Sequence, residues 1–301
     1  MIEKIKENCL DLDVVASVKA GLKAYEKGKG TPKQTAEDVK NRPYDYDYKF
    51  DENTYKYLDG SNVLRYGIKW SGLWLQYGNH LAAPRAFDLF SGEKIIVREI
   101  TGNYPRCINA TYTDDICLFN MSNIAVVKRN DDYSLKYILV LLNSSLMSFY
   151  FKKNTAKAER KLFPKIILND LRLFPIKNIP LAEQQPFIEL ADKMLSLNVD
   201  LQKSVQRFLK RVQENLNPAK ISSTLENFYT LEFADFVKEL AKQKVKLSLK
   251  QQDEWEEYFA EYKTDCVALS EEITATDNEI NRLVYKLYNL TDEEIAIVEG
   301  K

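Results

Sequence analysis

Two apolar seams in the second half of the chain constrain its fold more than anything else in the sequence. Phe187, Leu190, Met194, Leu197, Leu201, Ser204 and Phe208 follow a 3-4-3-4 spacing, and so do Cys266, Leu269, Ile273, Thr276, Ile280, Leu283 and Leu287. That spacing puts every member on one helix face, each seam running about three heptads. At 1.5 Å per residue, a helix over 187–212 would be roughly 39 Å long. Heptad helices over about 185–215 and 262–289 are predicted to pack as an antiparallel pair. The helical insertion joining them has its own apolar pattern: Phe233, Phe236, Val237 and Leu240, then Trp255, Tyr258 and Phe259. A brief last helix is marked by the capping-box pair Thr291 and Glu294, ahead of Ile295 and Val298.

The first half reads differently. Gly72–Gly78, Lys94–Ile100, Ile116–Phe119 and Ile124–Val127 are short, rich in β-branched or aromatic residues, and bounded by Gly, Asn or Asp, as strands are. Leu135, Ile138, Leu139 and Leu142 then recur at helical spacing and end near Asn143. The Tyr-rich stretch Lys29–Asp59 has little periodicity and reads as a long functional loop. Pro175 and Pro180 bracket a joint where helix is disfavoured. The expected architecture is therefore α+β: a mixed domain with short strands over 1–180, then a long-helix antiparallel domain over 181–301.

Composition excludes several classes. No run of eighteen apolar residues occurs, and the charged N-terminus lacks a signal-peptide core, so the expectation is a cytoplasmic protein that spans no membrane. The four cysteines make no CxxC pair and His80 is the one histidine, too few soft ligands for a structural zinc site. The formal net charge of -1 conceals an asymmetry. Residues 1–180 hold 28 Lys and Arg against 21 Asp and Glu, and residues 181–301 hold 15 against 23. The sharpest basic stretch is 150–177, with Lys152, Lys153, Lys157, Arg160, Lys161, Lys165, Arg172 and Lys177 against Glu159 and Asp170. A polyanion partner would produce that pattern, as would two ordinary solvated faces.

Motifs for chemistry are missing. There is no phosphate loop, no GxGxxG turn and no GxSxG elbow. Asn41-Arg42-Pro43-Tyr44 resembles the Asn-Pro-Pro-Tyr motif with which DNA amino-methyltransferases hold a flipped base. Arg42 replaces the first proline, and no Gly-rich turn precedes it, so a loop is the better reading. Glu261-Tyr262-Lys263 has a nuclease-like Glu-x-Lys spacing, but it falls in an acidic helical stretch. No catalytic or metal-binding residue is assigned.

Several blocks do have a family likeness. Gly21-Leu-Lys-Ala-Tyr25 with Gly28-Lys-Gly30, Tyr57-Leu58-Asp59-Gly60 with Leu64-Arg65-Tyr66, Tyr77-Gly78, and Ala83-Pro84-Arg85 occur in order. So do Lys94–Ile100, Leu141–Ser145 with Phe149-Tyr150-Phe151, Leu171 with Phe174-Pro175-Ile176, Glu183-Gln184-Gln185 before a long helix, and the tail Glu279–Gly300. This order resembles the C-terminal target-recognition (specificity) domain of Taq-type N6-adenine DNA methyltransferases and of Type IIG restriction-modification enzymes. The Glu-Gln-Gln block is also similar to specificity subunits of Type I systems.

The resemblance implies a sequence-specific DNA-recognition module that positions double-stranded DNA for an adenine-N6 methyltransferase domain or subunit located elsewhere. The chain alone would be no enzyme and hold no cofactor. Its parent would be a site-specific methyltransferase or restriction endonuclease using S-adenosylmethionine, with magnesium if it also cleaves. The alternative is a stand-alone or split specificity subunit acting as a scaffold without direct base reading. The candidate DNA-binding side chains are Lys27, Lys29, Arg42, Arg65, Lys69, Arg85, Arg98 and Arg106 in the first half, and Lys152, Lys153, Lys157, Arg160 and Lys161 in the basic stretch. Arg98, on a strand, could equally pair with a buried carboxylate, and Tyr44, Tyr46, Tyr48, Tyr55 and Tyr57 could pack the loop rather than meet DNA.

Overall fold

The computed structural model describes residues 1–155 and 164–301. It is an α+β fold of short strands and long helices, as the sequence indicates. The strands are β1 (Cys9–Asp11), β2 (Ala16–Ala20), β3 (Asp45–Tyr46), β4 (Thr54–Leu58), β5 (Val63–Leu64), β6 (Gly67–Ile68), β7 (Trp74–Gln76), β8 (Lys94–Arg98), β9 (Ala110–Thr113), β10 (Leu118–Phe119), β11 (Asn123–Lys128) and β12 (Pro175–Lys177). The helices are α1 (Ile2–Lys6), α2 (Leu12–Val15), α3 (Ala36–Asn41), α4 (Asp88–Ser91), α5 (Leu135–Asn143), α6 (Ser145–Asn154), α7 (Leu168–Arg172), α8 (Leu181–Leu216), α9 (Ser223–Glu226), α10 (Phe233–Lys242), α11 (Leu249–Leu287) and α12 (Asp292–Glu299).

Two compact units divide the chain: residues 1–192 with 279–301, and residues 193–278. This corrects the expected split at 180. The start of α8 and the tail after Asn278 belong with the strands, and side chains show why. Ser145 donates its backbone N–H to Asn281 Oδ1 at 2.8 Å, Tyr288 donates its hydroxyl to Pro175 O at 2.8 Å, and Lys4 pairs with Glu294 at 2.5 Å. Buried Gln184 likewise pins the first turn of α8: its Nε2 donates to Asp132 O at 2.8 Å, and its Oε1 accepts the Ser134 N–H at 2.9 Å.

In the first unit, an antiparallel sheet of order β2-β11-β8-β9 carries the core. β8 is central, and its run KIIVR is buried on both faces, which favours a continuous apolar strand. Successive side chains alternate faces. Ile96 and Ala125 accordingly join a cluster with Leu58 and Phe119 from the neighbouring sheet and Phe90 from α4, while α5 packs against β8, β9 and β11. The neighbouring sheet has the order β10-β4-β7-β3, with β10 and β4 parallel. β1 and β12 pair antiparallel, so the Pro-bracketed joint is extended as predicted and forms part of the core.

The Lys29–Asp59 stretch is not the structureless loop its composition suggests. It holds α3, whose Thr35 and Asp38 form a reciprocal capping box, and strands β3 and β4.

In the second unit, the α8 and α11 segments run antiparallel: Lys193 pairs with Glu272 at 3.0 Å, and Phe208 meets Tyr262 with ring centroids 5.7 Å apart. Phe208, Phe228, Phe236 and Phe259 form an aromatic core there with α9 and α10. α11 begins at Leu249, thirteen residues before the expected start at 262. No helix among the described residues is long and apolar enough to cross a membrane.

Candidate nucleic-acid interface

Cations near β2 are arranged by its backbone. At the strand's end, Gly21 has no room for a side chain: a Cβ there would lie 2.2 Å from Asn120 O. The chain then bridges Lys23 to Ala83 and enters the turn that carries Lys27 and Lys29. Both lysines are exposed. Buried Gln34 closes this turn, its Nε2 donating to Ala24 O and His80 O at 2.8 Å each and its Oε1 accepting the Glu26 N–H at 2.8 Å. Gly30 sits at φ +82°, where a Cβ would strike His80 O at 2.3 Å. The turn is thus a rigid platform for two lysines. Gln34, which holds it, carries no sequence signal beyond being one polar residue among many.

Arg42 ends α3 in the left-handed conformation and is exposed, pairing with Asp45 at 2.6 Å and lying 4.8 Å from the Tyr25 ring. Tyr25 donates its hydroxyl to Asp45 at 2.9 Å, and burial, then the Asp45 charge, push that hydroxyl's pKa well above its ordinary value. Tyr44 stacks on Tyr25 and packs 4.1 Å from His80. The Asn41–Tyr44 segment is therefore a packed turn whose aromatic ring already has neighbours. Tyr57 is buried and Tyr55 packs on Phe87. Tyr46, Tyr48 and Phe50 form a group of their own, with Tyr48 and Phe50 about half exposed.

Arg65 has a partner within the fold: its Nε and Nη2 donate to Asn143 O at 3.2 and 2.7 Å, capping the C-terminal end of α5. The Asn143 amide meanwhile pairs both ways with the Ala110 backbone, at 2.9 and 3.1 Å, extending the edge of β9. The Asn-Ser block is thus a structural clamp. Lys69 is exposed beside β6, and Arg106 is half-buried in the turn before β9. Arg98 is also half-buried on β8, and its Nε has no hydrogen-bond acceptor among the described residues.

The basic stretch is less uniform than its composition. Lys177 is buried, donating to Glu7 O at 2.7 Å and lying over the Tyr288 ring, and Lys165 pairs with Glu99 at 2.8 Å. Lys152 and Lys153, in the last turn of α6, are exposed, with Lys152 Nζ 4.5 Å from the Tyr104 ring centroid. Lys157, Arg160 and Lys161 lie outside the described residues.

Comparison with known proteins bears on this surface. Residues 55–176 match the model of the TaqI-like C-terminal specificity domain, and residues 180–284 match a domain of unknown function, DUF8810. A putative type II restriction enzyme and methyltransferase of Methanocaldococcus jannaschii is 29% identical over 181 residues, covering 56% of this chain and 15% of that protein. The chain thus spans a small part of the curated relative it matches. Among solved structures, the type IIL restriction-modification enzyme MmeI in complex with DNA covers 90% of this chain and 36% of its own, at 10% identity and TM-score 0.43. The type I restriction-modification S subunit from M. genitalium covers 76% and 51%, at 17% identity and TM-score 0.38. The blocks from Tyr57 to Ile176 that carry the resemblance fall inside the segment that is similar to the TaqI-like C-terminal specificity domain.

Proposed function

We propose that this chain reads a DNA sequence and places double-stranded DNA against an adenine-N6 methyltransferase domain or subunit of a restriction-modification enzyme. The similarity of residues 55–176 to the TaqI-like specificity domain carries the reading. The partial relative supports it: that protein is a putative restriction enzyme and methyltransferase, and the match takes up 15% of its length. In this reading the chain performs no chemistry. S-adenosylmethionine belongs to the methyltransferase, and magnesium to a nuclease if the parent carries one.

The physical division of labour follows from DNA itself. Contacts to phosphates fix position without reading sequence, and contacts to base edges read it. Exposed, flexible Lys27, Lys29, Lys69, Lys152 and Lys153 suit the first task. Arg98 and Arg106, half-buried and therefore better oriented, suit the second. The test is selection of a randomised duplex library with the purified chain. Enrichment of one defined motif is expected. Recovery of a library with no preferred sequence would overturn base reading.

A further inference from the structure

β2 is an edge strand, and two arginines from distant parts of the first unit are tied to its carbonyls. Arg172, from α7, donates Nη2 to Val18 O at 3.1 Å. Arg85 donates Nε to Gly21 O at 3.2 Å. Between those anchors stands Lys19, exposed on the strand. All three cations line one cleft of about 290 Å³.

The two arginines are set in place by backbone carbonyls, while Lys19 is exposed between them. Arg85 has φ +65°, a backbone conformation costly for a residue with a Cβ, and its carbonyl is held by the Tyr77 hydroxyl at 2.6 Å. Its Nε is committed to Gly21 O, and its guanidinium makes no ion pair among the described residues. Lys19 also has no carboxylate partner among them. Arg172 lies 3.7 Å from Asp13, an ion-pair distance that is too long for a hydrogen bond, and its buried Nε has no acceptor. A buried donor without an acceptor calls for an explanation, and a missing anion is one. Asp88 is the one carboxylate lining the cleft. The rest of the wall is apolar, from Ala20, Ala86, Leu89 and Leu168.

We propose that Lys19, Arg85 and Arg172 form a clamp for a phosphate group of the DNA backbone. Guanidinium forks and an ammonium suit a tetrahedral oxyanion. The apolar wall suits a diester flanked by deoxyribose better than a free, fully hydrated phosphate. The inference rests on the DNA-reading function and goes beyond it by assigning a positioning site: Lys19 and Arg172 lie outside the specificity segment's interior strands and carry no base-reading role.

The experiment is fluorescence anisotropy of a labelled, mixed-sequence duplex with the 301-residue chain at several salt concentrations. Phosphate contacts are sequence-independent, so no cognate site is needed. Lys19→Ala and Arg85→Ala are each expected to weaken binding to every duplex alike and to make the log–log salt slope shallower by about one unit. The Lys19 side chain makes no ion pair among the described residues and is exposed, so its variant keeps the test valid if Arg85→Ala proves unfolded by circular dichroism. A wild-type chain that binds duplex while Lys19→Ala keeps its affinity and slope would overturn the clamp and leave the DNA-reading function standing. A wild-type chain that binds no duplex overturns both. Calorimetric titration with inorganic phosphate at fixed ionic strength separates the sources: saturable binding lost in Lys19→Ala, with the duplex slope unchanged, would make this a free-phosphate site and refute the assignment.

Discussion

A buried lysine on a strand costs the fold unless its ammonium finds acceptors. Lys94, on central strand β8, is fully buried, and its Nζ donates to Gly92 O and Asp115 O at 2.8 Å each. Both acceptors are neutral carbonyls, so burial dominates and lowers its pKa. The unfolded chain therefore holds this proton to higher pH than the folded one, up to about 10.4. Below the folded pKa the buried charge costs stability in full. As pH climbs toward the unfolded value that cost fades, so this group makes the protein more stable with rising pH. The expected outcome is that the wild-type urea midpoint, relative to that of Lys94→Met, rises as pH climbs toward the unfolded value of about 10.4. Working with the difference cancels the tyrosines, whose raised pKa values act in both proteins. A constant difference would mean that Lys94 stays charged. Lys94, Lys177 and Arg65 also mark what a sequence withholds at this scale. It shows a cation, but not the carbonyls of Asp115, Glu7 and Asn143 that receive these three, because each comes from a residue well removed in the chain. Reading charge as exposure therefore overstated the basic surface of 150–177.

Elements with a long period were legible, and so were the short strands β7, β8, β10 and β11, whose β-branched or aromatic runs are bounded by Gly, Asn or Asp. The 3-4-3-4 seams foretold α8 and α11 because each carries its apolar signal through many turns. The capping box at Thr291 marked the start of α12 for the same local reason, a side chain meeting its own backbone. β3 and β4 escaped notice because they lie in a polar, Tyr-rich stretch without an apolar run, and their hydrogen bonds come from β7, distant in the chain. The depth of the seam was also hidden. Met194 and Phe208 are buried, while Leu201 is only partly buried at the margin of the aromatic cluster. Phe208 stacks on Phe228 at 3.8 Å and also touches Phe236, Tyr258 and Tyr262. Removing so large a ring from a closed cluster leaves a cavity. Phe208→Ala is expected to cost about 3–5 kcal/mol. Leu201→Ala should cost clearly less, because the partly buried site can be filled by water and neighbouring side chains. Thermal melts followed by circular dichroism compare the two. Equal losses would mean that the centre of the aromatic cluster contributes no more than its margin.

On the scale of the whole molecule, the charge asymmetry changes once the chain is divided as it folds. The first unit takes back the acidic tail and holds 31 Lys and Arg against 29 Asp and Glu, while the second holds 12 against 15. Net charge per unit is then close to neutral, so DNA binding must depend on where cations are placed, not on bulk charge. Lys152 and Lys153 are well placed for this. They sit at the end of α6, exposed, with their ammonium groups against the rings of Tyr104 and Phe149 and no carboxylate partner among the described residues. If they meet phosphates, each contact releases a counterion and contributes about -0.9 to the slope of log affinity against log salt. The double variant Lys152→Ala/Lys153→Ala is therefore expected to bind all duplexes more weakly and to show a slope shallower by roughly one to two units. Its preference among sequences should not change, since phosphates carry no sequence information. A matched control removes two exposed lysines from the second unit, Lys203→Ala/Lys210→Ala, with the same change in net charge. The control should leave the slope unchanged. Equal slopes in both double variants would show that only bulk charge matters, and would take the end of α6 out of the DNA interface.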